Sequence, residues 1–471
     1  MATTAIESLE QELLAIVREL LRELGSADAA GRATLTSSLD RDLGLGSLER
    51  VELLMRVERR FGRRLPDEVA QRADTLEEFR VALEGGEVAG QAAQRYAIRQ
   101  PAVDAPAPPK DAVSFSEVLR RFSQSDPERV QIHLLEEDRG QDISYGQLYQ
   151  RASEVASGLI ARGLQPGETV AIMLPTCADF FYAFFGVSLA GGIAVPIYPP
   201  ARPKQIEEYV RRQLGILRNA GVRFLISWPQ AKVVADVMRV GLPSLLGVTS
   251  APELAAEGRA HMERPRDPAD VFFIQYTSGS TGNPKGVTLT HANVLANVRG
   301  IGWAVNARPD DVVVSWLPLY HDMGLIGSWL FSVYHGYPIT VMSPLDFLSR
   351  PERWLWAMSD SGGTLCPAPN FSYELCVRKI EYASIEGIDL KPWRVAINAG
   401  EPVMPATLQA FARRFEAFGF RPESWVPCYG LAESSVALTF PPSGRRPVTD
   451  KIRRAEFEQE GRAVPAGDFP A

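Results

Sequence analysis

One twelve-residue stretch carries the densest chemistry in the chain: Tyr276-Thr-Ser-Gly-Ser-Thr-Gly-Asn-Pro-Lys-Gly-Val287. It follows an apolar run, Val271, Phe272, Phe273 and Ile274, that reads as a buried strand. The stretch holds three glycines (Gly279, Gly282, Gly286), four hydroxyls (Thr277, Ser278, Ser280, Thr281) and one cation, Lys285. Glycines let a backbone approach an anion closely and turn successive N–H groups toward it. Hydroxyls add donors and a lysine adds a point charge, so the set suits a polyphosphate. It is not the Gly-x-x-x-x-Gly-Lys-Ser/Thr loop, because Gly286 follows Lys285 where a Mg-binding hydroxyl is needed. A flexible Gly/Ser linker is the plain alternative, but Pro284 to Val287 lead straight back into ordered sequence.

Three further clusters follow in order: Pro318-Leu-Tyr-His-Asp-Met-Gly324, Asn398-Ala-Gly-Glu-Pro402 and Tyr429-Gly-Leu-Ala-Glu-Ser434. A fifth lies far upstream, where Ser47 opens an acidic amphipathic stretch after Asp42-Leu-Gly-Leu-Gly46. A phosphate on that serine would lie beside free helix N–H groups and the positive end of the dipole. On spacing alone, an N-cap also accounts for Ser47.

The elements that position these clusters divide the chain. Residues 1–84 read as all-helical and hold 17 acidic against 12 basic side chains, a net of −5 out of −7 for the whole chain. Thr4-x-x-Glu7 reads as a capping box. Behind it Ile6, Leu9, Leu13, Ile16, Val17, Leu20 and Leu24 form an apolar helix face. A second helix is expected from Ser47, with Leu48, Val51, Leu54, Met55 and Phe61, and Thr75-x-x-Glu78 caps a last short one. The expected unit is a four-helix bundle. Residues 85–112 are rich in Pro, Ala and Gly and read as a semi-rigid linker.

From residue 113 to 471 helix and strand patterns alternate. Residues 145–161 read as a helix, and 170–174, 193–198, 224–227, 312–317, 339–342, 395–398 and 425–429 as strands. Short apolar runs between helices imply parallel sheets covered on both faces, an α/β domain. Ligands then sit past the carboxyl ends of the strands, which is where all four clusters fall. Residues 180–200 carry no charge, but Gly191, Gly192 and Pro196 divide them into a core helix and a strand, so no membrane span is expected. Four widely spaced cysteines without a C-x-x-C read as buried free thiols in a reducing, cytoplasmic setting, and five histidines show no metal-ligand spacing. No signal peptide is evident, and the acidic net charge gives no support for nucleic-acid binding.

The four clusters from Tyr276 to Ser434 together resemble the adenylate-forming enzymes, which activate a carboxylate with ATP and release pyrophosphate. The resemblance implies roles. Thr277, Ser278, Gly279, Ser280, Thr281 and Gly282 would cradle the phosphates, with Lys285 beside the leaving pyrophosphate. Glu433 would hold Mg2+. Ala399 and Gly400 would flank adenine, and Tyr429 and Gly430 would close on it, with the tyrosine ring stacked on the base. His321 would lie near the carboxylate, although between Tyr320 and Asp322 it reads equally as a structural residue.

Residues 1–84 resemble acyl carrier proteins, which implies that Ser47 takes 4′-phosphopantetheine from a phosphopantetheinyl transferase. Such carriers often have Asp before the serine, where Gly46 stands here. Pro199-Pro-Ala-Arg-Pro203, Pro369 to Lys379 and the segment 381–393 resemble signatures of the fatty acyl-AMP ligase branch. That branch implies a fatty acid substrate and delivery to a carrier, with a polyketide synthase, peptide synthetase or acyltransferase downstream. A fatty acyl-CoA ligase and a non-catalytic carrier or nucleotide-binding fragment are the alternative readings. The family's Thr-Gly-Asp motif and its small C-terminal domain with a second lysine do not follow Ser435 in this sequence, so a C-terminally truncated chain of weak activity is expected.

Overall fold

The computed structural model describes residues 2–466 apart from 24–25, 40–41, 46–52, 55, 59, 66–68, 70–72, 86, 89–104, 137–138, 201–205, 258–265 and 278–283. The expected second helix start at Ser47 therefore lies outside the described residues.

The first helix runs Ala2–Glu23. Thr4 is inside its first turn, so Thr4-x-x-Glu7 is not the expected capping box. A cap needs a non-helical residue, and here the helix already begins at Ala2. Leu13, Ile16, Val17 and Leu20 are buried, as their spacing requires, and Leu9 is partly buried against them. Leu53, Leu54 and Val57 close the same core from the next helical stretch, and the helix Leu76–Gly85 adds Leu76, Phe79 and Leu83. Glu78 reaches back to accept from the Asp74 N–H and the Thr75 hydroxyl. The unit is not wholly helical: strand β1 (Arg63–Arg64) pairs antiparallel with β2 (Glu87–Val88).

The expected linker is not free along its whole length. The Ala105 N–H donates to Pro309 O, Arg299 donates to Ala112 O, and Ala112 is part of the large domain's core.

Two sheets build the large domain. The first is formed by β5 (Thr169–Ile172), β6 (Ile193–Pro196), β7 (Phe224–Ile226), β8 (Gly247–Thr249), β9 (Val271–Thr277) and β10 (Lys285–Thr290), in the order β10-β9-β6-β5-β7-β8. The second is formed by β3 (Val130–Glu136), β4 (Arg139–Ser144), β11 (Val313–Ser315), β12 (Ile339–Met342), β13 (Leu365–Ala368), β14 (Val395–Asn398) and β15 (Trp425–Pro427), in the order β15-β14-β13-β11-β12-β3-β4. Pairing is parallel except at one edge of each sheet, where β10 runs antiparallel to β9 and β4 to β3. Each exception is a hairpin, a short connection that only antiparallel strands can use.

Helices cover both faces. The helix Tyr145–Ala161 begins in a capping box formed by Ser144 and Gln147. Its buried face is Leu148, Ala152, Val155 and Leu159, an i, i+4, i+7, i+11 stripe. The uncharged segment becomes the buried helix Ala178–Leu189 followed by β6. No described helix is long and apolar enough to cross a membrane. Four phenylalanines of that helix, Phe180, Phe181, Phe184 and Phe185, gather around the Trp329 ring, whose N–H donates to Gln131 in β3. That contact ties one sheet's helix layer to the other sheet.

Two buried histidines make this core acid-sensitive. Burial, helped by the positive charge of Arg266, pushes His291 down to about 3. Burial outweighs the hydrogen bond to Val298 O and pushes His335 down to about 4. In the unfolded chain both titrate near 6.5. Between those values the unfolded state binds more protons, so stability is fully present above pH 6.5 and declines below it. The cost is at most about 5 kcal/mol for His291. Thermal melts from pH 7.5 to 5 are expected to show Tm falling below pH 6.5, with a shallower fall in His335→Phe. An unchanged slope in that variant would remove His335 from the account.

Candidate active site

Each of the four clusters stands at or just past the carboxyl end of a strand, and residues in or beside them link one to the next. Thr277 ends β9 and Lys285 opens β10, and the two residues are cross-strand partners. The polyphosphate-type stretch thus falls between two strands that pair antiparallel. Ser278, Gly279, Ser280, Thr281 and Gly282 lie outside the described residues. Lys285 is exposed at the mouth of the hairpin. Gly286 has a steric reason to be glycine, because a Cβ there would stand 2.9 Å from the Tyr276 ring.

The hairpin is tied to the second cluster by Gln275, which donates to Tyr320 O at 2.7 Å. The second cluster meets the third at Met323, whose methyl would lie 3.5 Å from a Cβ on Gly400. Gly400 has φ +85°, the left-handed region that favours glycine. The third meets the fourth through β14 and β15, with the Cys428 N–H donating to Asn398 O. Glu433 of the fourth lines a cavity of about 970 Å3 together with Thr288 and Leu289 of β10, which directly follow the first cluster.

The fourth cluster is a closed loop. Tyr429 and Thr439 exchange backbone hydrogen bonds, and Leu438 N–H also donates to Tyr429 O. Between them Glu433 sits exposed on a single 3-10 turn, Ala432–Ser434. The next residue, Ser435, is held at φ +70°, ψ −66°, a strained γ-turn geometry for a residue with a side chain. Asn297, from the helix His291–Ala304, holds this strained loop in place. Its side-chain amide donates to Ser434 O and Ala437 O, and its oxygen accepts from Ala437 N–H.

His321 is more than half exposed and contacts the Asp322 carboxylate at 2.8 Å. Burial would lower its pKa, but the hydrogen bond and charge of Asp322 outweigh that and raise it above the usual imidazole value. The ring is therefore suited to carry positive charge near an anionic group. Tyr429 is 62% exposed, an aromatic face open to a planar ligand.

Two tests of fit bear on a nucleotide and its metal. Asn398 is fully buried and donates to Asn370, yet its Oδ1 meets no donor. A buried acceptor left open beside Ala399 and Gly400 fits an amino-bearing base. Among the described residues no group of three or more His, Cys, Asp or Glu could hold a metal. Mg2+ is commonly held by one or two carboxylates with substrate phosphates completing its shell, so a lone Glu433 fits that ion. Away from Glu433 the cavity turns apolar, lined by Ile301, Trp303, Leu438 and Phe440.

Gln275 and Asn297 carried no signal in the sequence, since each is a polar residue inside a regular element. Their importance comes from what lies opposite. Segment 381–393 packs as ordered structure: Trp356 donates to Ser384 O, Tyr382 to Arg414 O, and Ile385, Ile388 and Leu390 are buried. All four cysteines are free, with Cys366 and Cys376 fully buried.

Two mostly parallel sheets covered by helices, with the four clusters at or just past the carboxyl ends of their strands, define an α/β fold of the adenylate-forming type, with a helical unit before it. The chain belongs to the AMP-binding enzyme family, matched over residues 119–466, and carries a phosphopantetheine attachment site region, matched over residues 11–80. It is 32% identical over 393 residues to the medium-chain-fatty-acid–acyl-carrier-protein ligase TtuA of Teredinibacter turnerae, covering 74% of this chain and 61% of TtuA. It is 34% identical over 333 residues to the long-chain-fatty-acid–AMP ligase FadD32 of Mycolicibacterium smegmatis, covering 69% of this chain and 52% of FadD32. The fatty acyl-adenylate ligase of L. pneumophila, solved with acyl adenylate and pyrophosphate, superposes with a TM-score of 0.70 at 32% identity, covering 76% of this chain and 62% of that one. The chain thus spans about half to three-fifths of the length of these curated relatives.

Proposed function

We propose that this protein converts a fatty acid and ATP to fatty acyl-adenylate and passes the acyl group to a phosphopantetheine arm on Ser47. The placement of all four clusters at or just past the carboxyl ends of strands, with Glu433 lining a cavity that turns apolar toward Trp303 and Phe440, supports this reading. In the first step a carboxylate oxygen forms a bond to the α-phosphorus, and the bond to the bridging oxygen of pyrophosphate breaks. Negative charge builds on the departing phosphates, where positioned cations act most strongly. Lys285 stands at the mouth of the hairpin to meet that charge. Glu433 would hold Mg2+, which supplies charge neutralisation across phosphate oxygens when bound. His321, raised toward its charged form by Asp322, orients the incoming carboxylate. Tyr429 and Gly400 flank the base, with Asn398 Oδ1 as the open acceptor. In the second step the arm's sulfur forms a bond to the acyl carbon, the bond from that carbon to the adenylate's phosphate oxygen breaks, and AMP leaves as the thiol gives up its proton. Free buried thiols agree with a cytoplasmic setting, and the carrier implies a phosphopantetheinyl transferase and a downstream synthase or acyltransferase as partners.

Calorimetry tests the nucleotide half. Lys285→Ala is expected to weaken MgATP binding about tenfold, since a hydrogen bond to a charged group contributes roughly 1.5–3 kcal/mol. Glu433→Ala should remove the dependence of that affinity on Mg2+. Unchanged binding in both variants would refute the assignment. Chromatography of products formed from a fatty acid and ATP tests the other half. Acyl-adenylate and acylated protein are expected; abundant acyl-CoA on adding coenzyme A would reassign the acceptor.

A further inference from the structure

A buried cation outside this cleft joins the two units of the chain. Arg350 follows the helix Pro344–Ser349 on the carboxyl side of β12 and is only 8% exposed. One of its terminal nitrogens donates to Glu58 Oε1 and to Leu65 O, each at 3.1 Å. Both acceptors belong to the carrier bundle, and they are prearranged there, because Glu58 Oε1 also accepts the Leu65 N–H at 2.8 Å. A guanidinium suits such a paired target, since it offers several donors in a fixed plane. Exposed ion pairs contribute little, whereas a desolvated charge pair with added hydrogen bonds fixes register between surfaces.

The Arg350 helix is braced against the wall of the cleft. Its Phe347 is fully buried and stacks on Trp316 at 4.0 Å. Trp316 lies two residues before Pro318, the start of the second cluster. Trp316 also meets Phe371 at 5.9 Å, and the Phe371 N–H donates to Glu401 in the third cluster. The contact with the carrier is therefore one helix removed from two loops of the site, on the sheet edge where ligands sit. The contacts of Arg350 are polar, and among the described residues no buried apolar cluster contains residues of both units, so the two surfaces can separate without exposing a large apolar patch, as a carrier that visits other partners requires.

We infer that residues 343–353 are a docking surface for the chain's own carrier bundle and that Arg350 is the positioning residue that seats it at the rim of the cleft. The docking itself is independent of the proposed reaction; only its use in acyl transfer rests on that reading. Nitrogen-15 relaxation of the whole chain tests it without nucleotide or substrate. Docked, the amides of residues 9–83 tumble with the whole chain and give broad lines. Arg350→Glu is expected to release the bundle, so that its correlation time drops several-fold while the ligase amides keep theirs. Glu58→Gln keeps an acceptor for the Leu65 N–H and removes the charge that Arg350 sees, so it should shift the same way from the carrier's side even if the arginine variant folds poorly. The pair Glu58→Lys with Arg350→Glu should slow the bundle again. A wild-type bundle that already tumbles independently overturns the inference, and so does a docked bundle that neither single variant loosens.

Discussion

Ser47→Ala is expected to abolish phosphopantetheinylation completely. The wild-type chain, incubated with coenzyme A and a broad-specificity transferase, should gain the mass of one phosphopantetheine group. In that reaction the serine oxygen forms a bond to the β-phosphorus of coenzyme A. The bond from that phosphorus to the bridging oxygen breaks, and 3′,5′-adenosine bisphosphate leaves. The hydroxyl proton passes to the transferase. Alanine has no oxygen to form the bond, so the loss is total rather than partial. The nearest described serines cannot stand in. Ser37 and Ser38 are 9% and 5% exposed, and Ser37 is held by hydrogen bonds to Thr34 while Ser38 N–H is held by Asp42. Leu45 and Leu53, on either side of the Ser47 segment, are both fully buried in the bundle core. A mass gain that survives the substitution would move the attachment elsewhere.

Gly430→Ala is expected to weaken MgATP binding by at least tenfold, ~1.4 kcal/mol, while leaving the domain folded. A Cβ at this position would lie 1.7 Å from Val436 O and 2.8 Å from its carbonyl carbon. Both are backbone atoms, so no side chain can swing aside. The loop can admit the methyl only by opening the hydrogen bonds between Tyr429 and Thr439, or by releasing Ser434 and Ala437 from Asn297. Either movement displaces Glu433 and the Tyr429 ring together. The large cores around Trp329 and Trp354 contain no residue of the 429–439 loop except Val436 and Ala437 at their margins, so the thermal midpoint should fall only modestly. Calorimetry beside a melting curve separates the two effects. An affinity equal to wild type would show that the loop does not form part of the nucleotide site. A collapse of the melting curve would show that the loop is structural for the whole domain.

Local sequence was sufficient for many of the large domain's elements. The helix Tyr145–Ala161 and the strands Ile339–Met342 and Val395–Asn398 match the expected limits; the strands expected at 193–198, 224–227, 312–317 and 425–429 are shorter by one to three residues, β5 begins one residue before the expected Val170, and β9 runs on past Ile274 to Thr277. The periods of burial and the turn residues that delimit them are local properties. So is the reason each cluster follows a strand. What local pattern did not reveal is also instructive. Pro367 disguised β13, because a proline in a short run argues against a strand. The hairpin of β3 and β4 carried too little alternation to stand out: five consecutive residues of β3 are buried. Thr4-x-x-Glu7 has the composition of a cap but lies within a helix, since the spacing of side chains does not set the backbone angles of the residue before them.

The order of the strands was decided only in three dimensions. β3 lies beside β12 although some two hundred residues separate them, and that placement brings Gln131 to Trp329. The same holds for every residue that organises the cleft without belonging to a motif. Gln275, Asn297 and Arg350 each gain their role from a backbone carbonyl or carboxylate supplied by a distant segment. A sequence states which side chains can donate a hydrogen bond. Which acceptor stands opposite depends on how the sheets close and where the carrier rests, and those are set by the burial of the whole apolar surface at once.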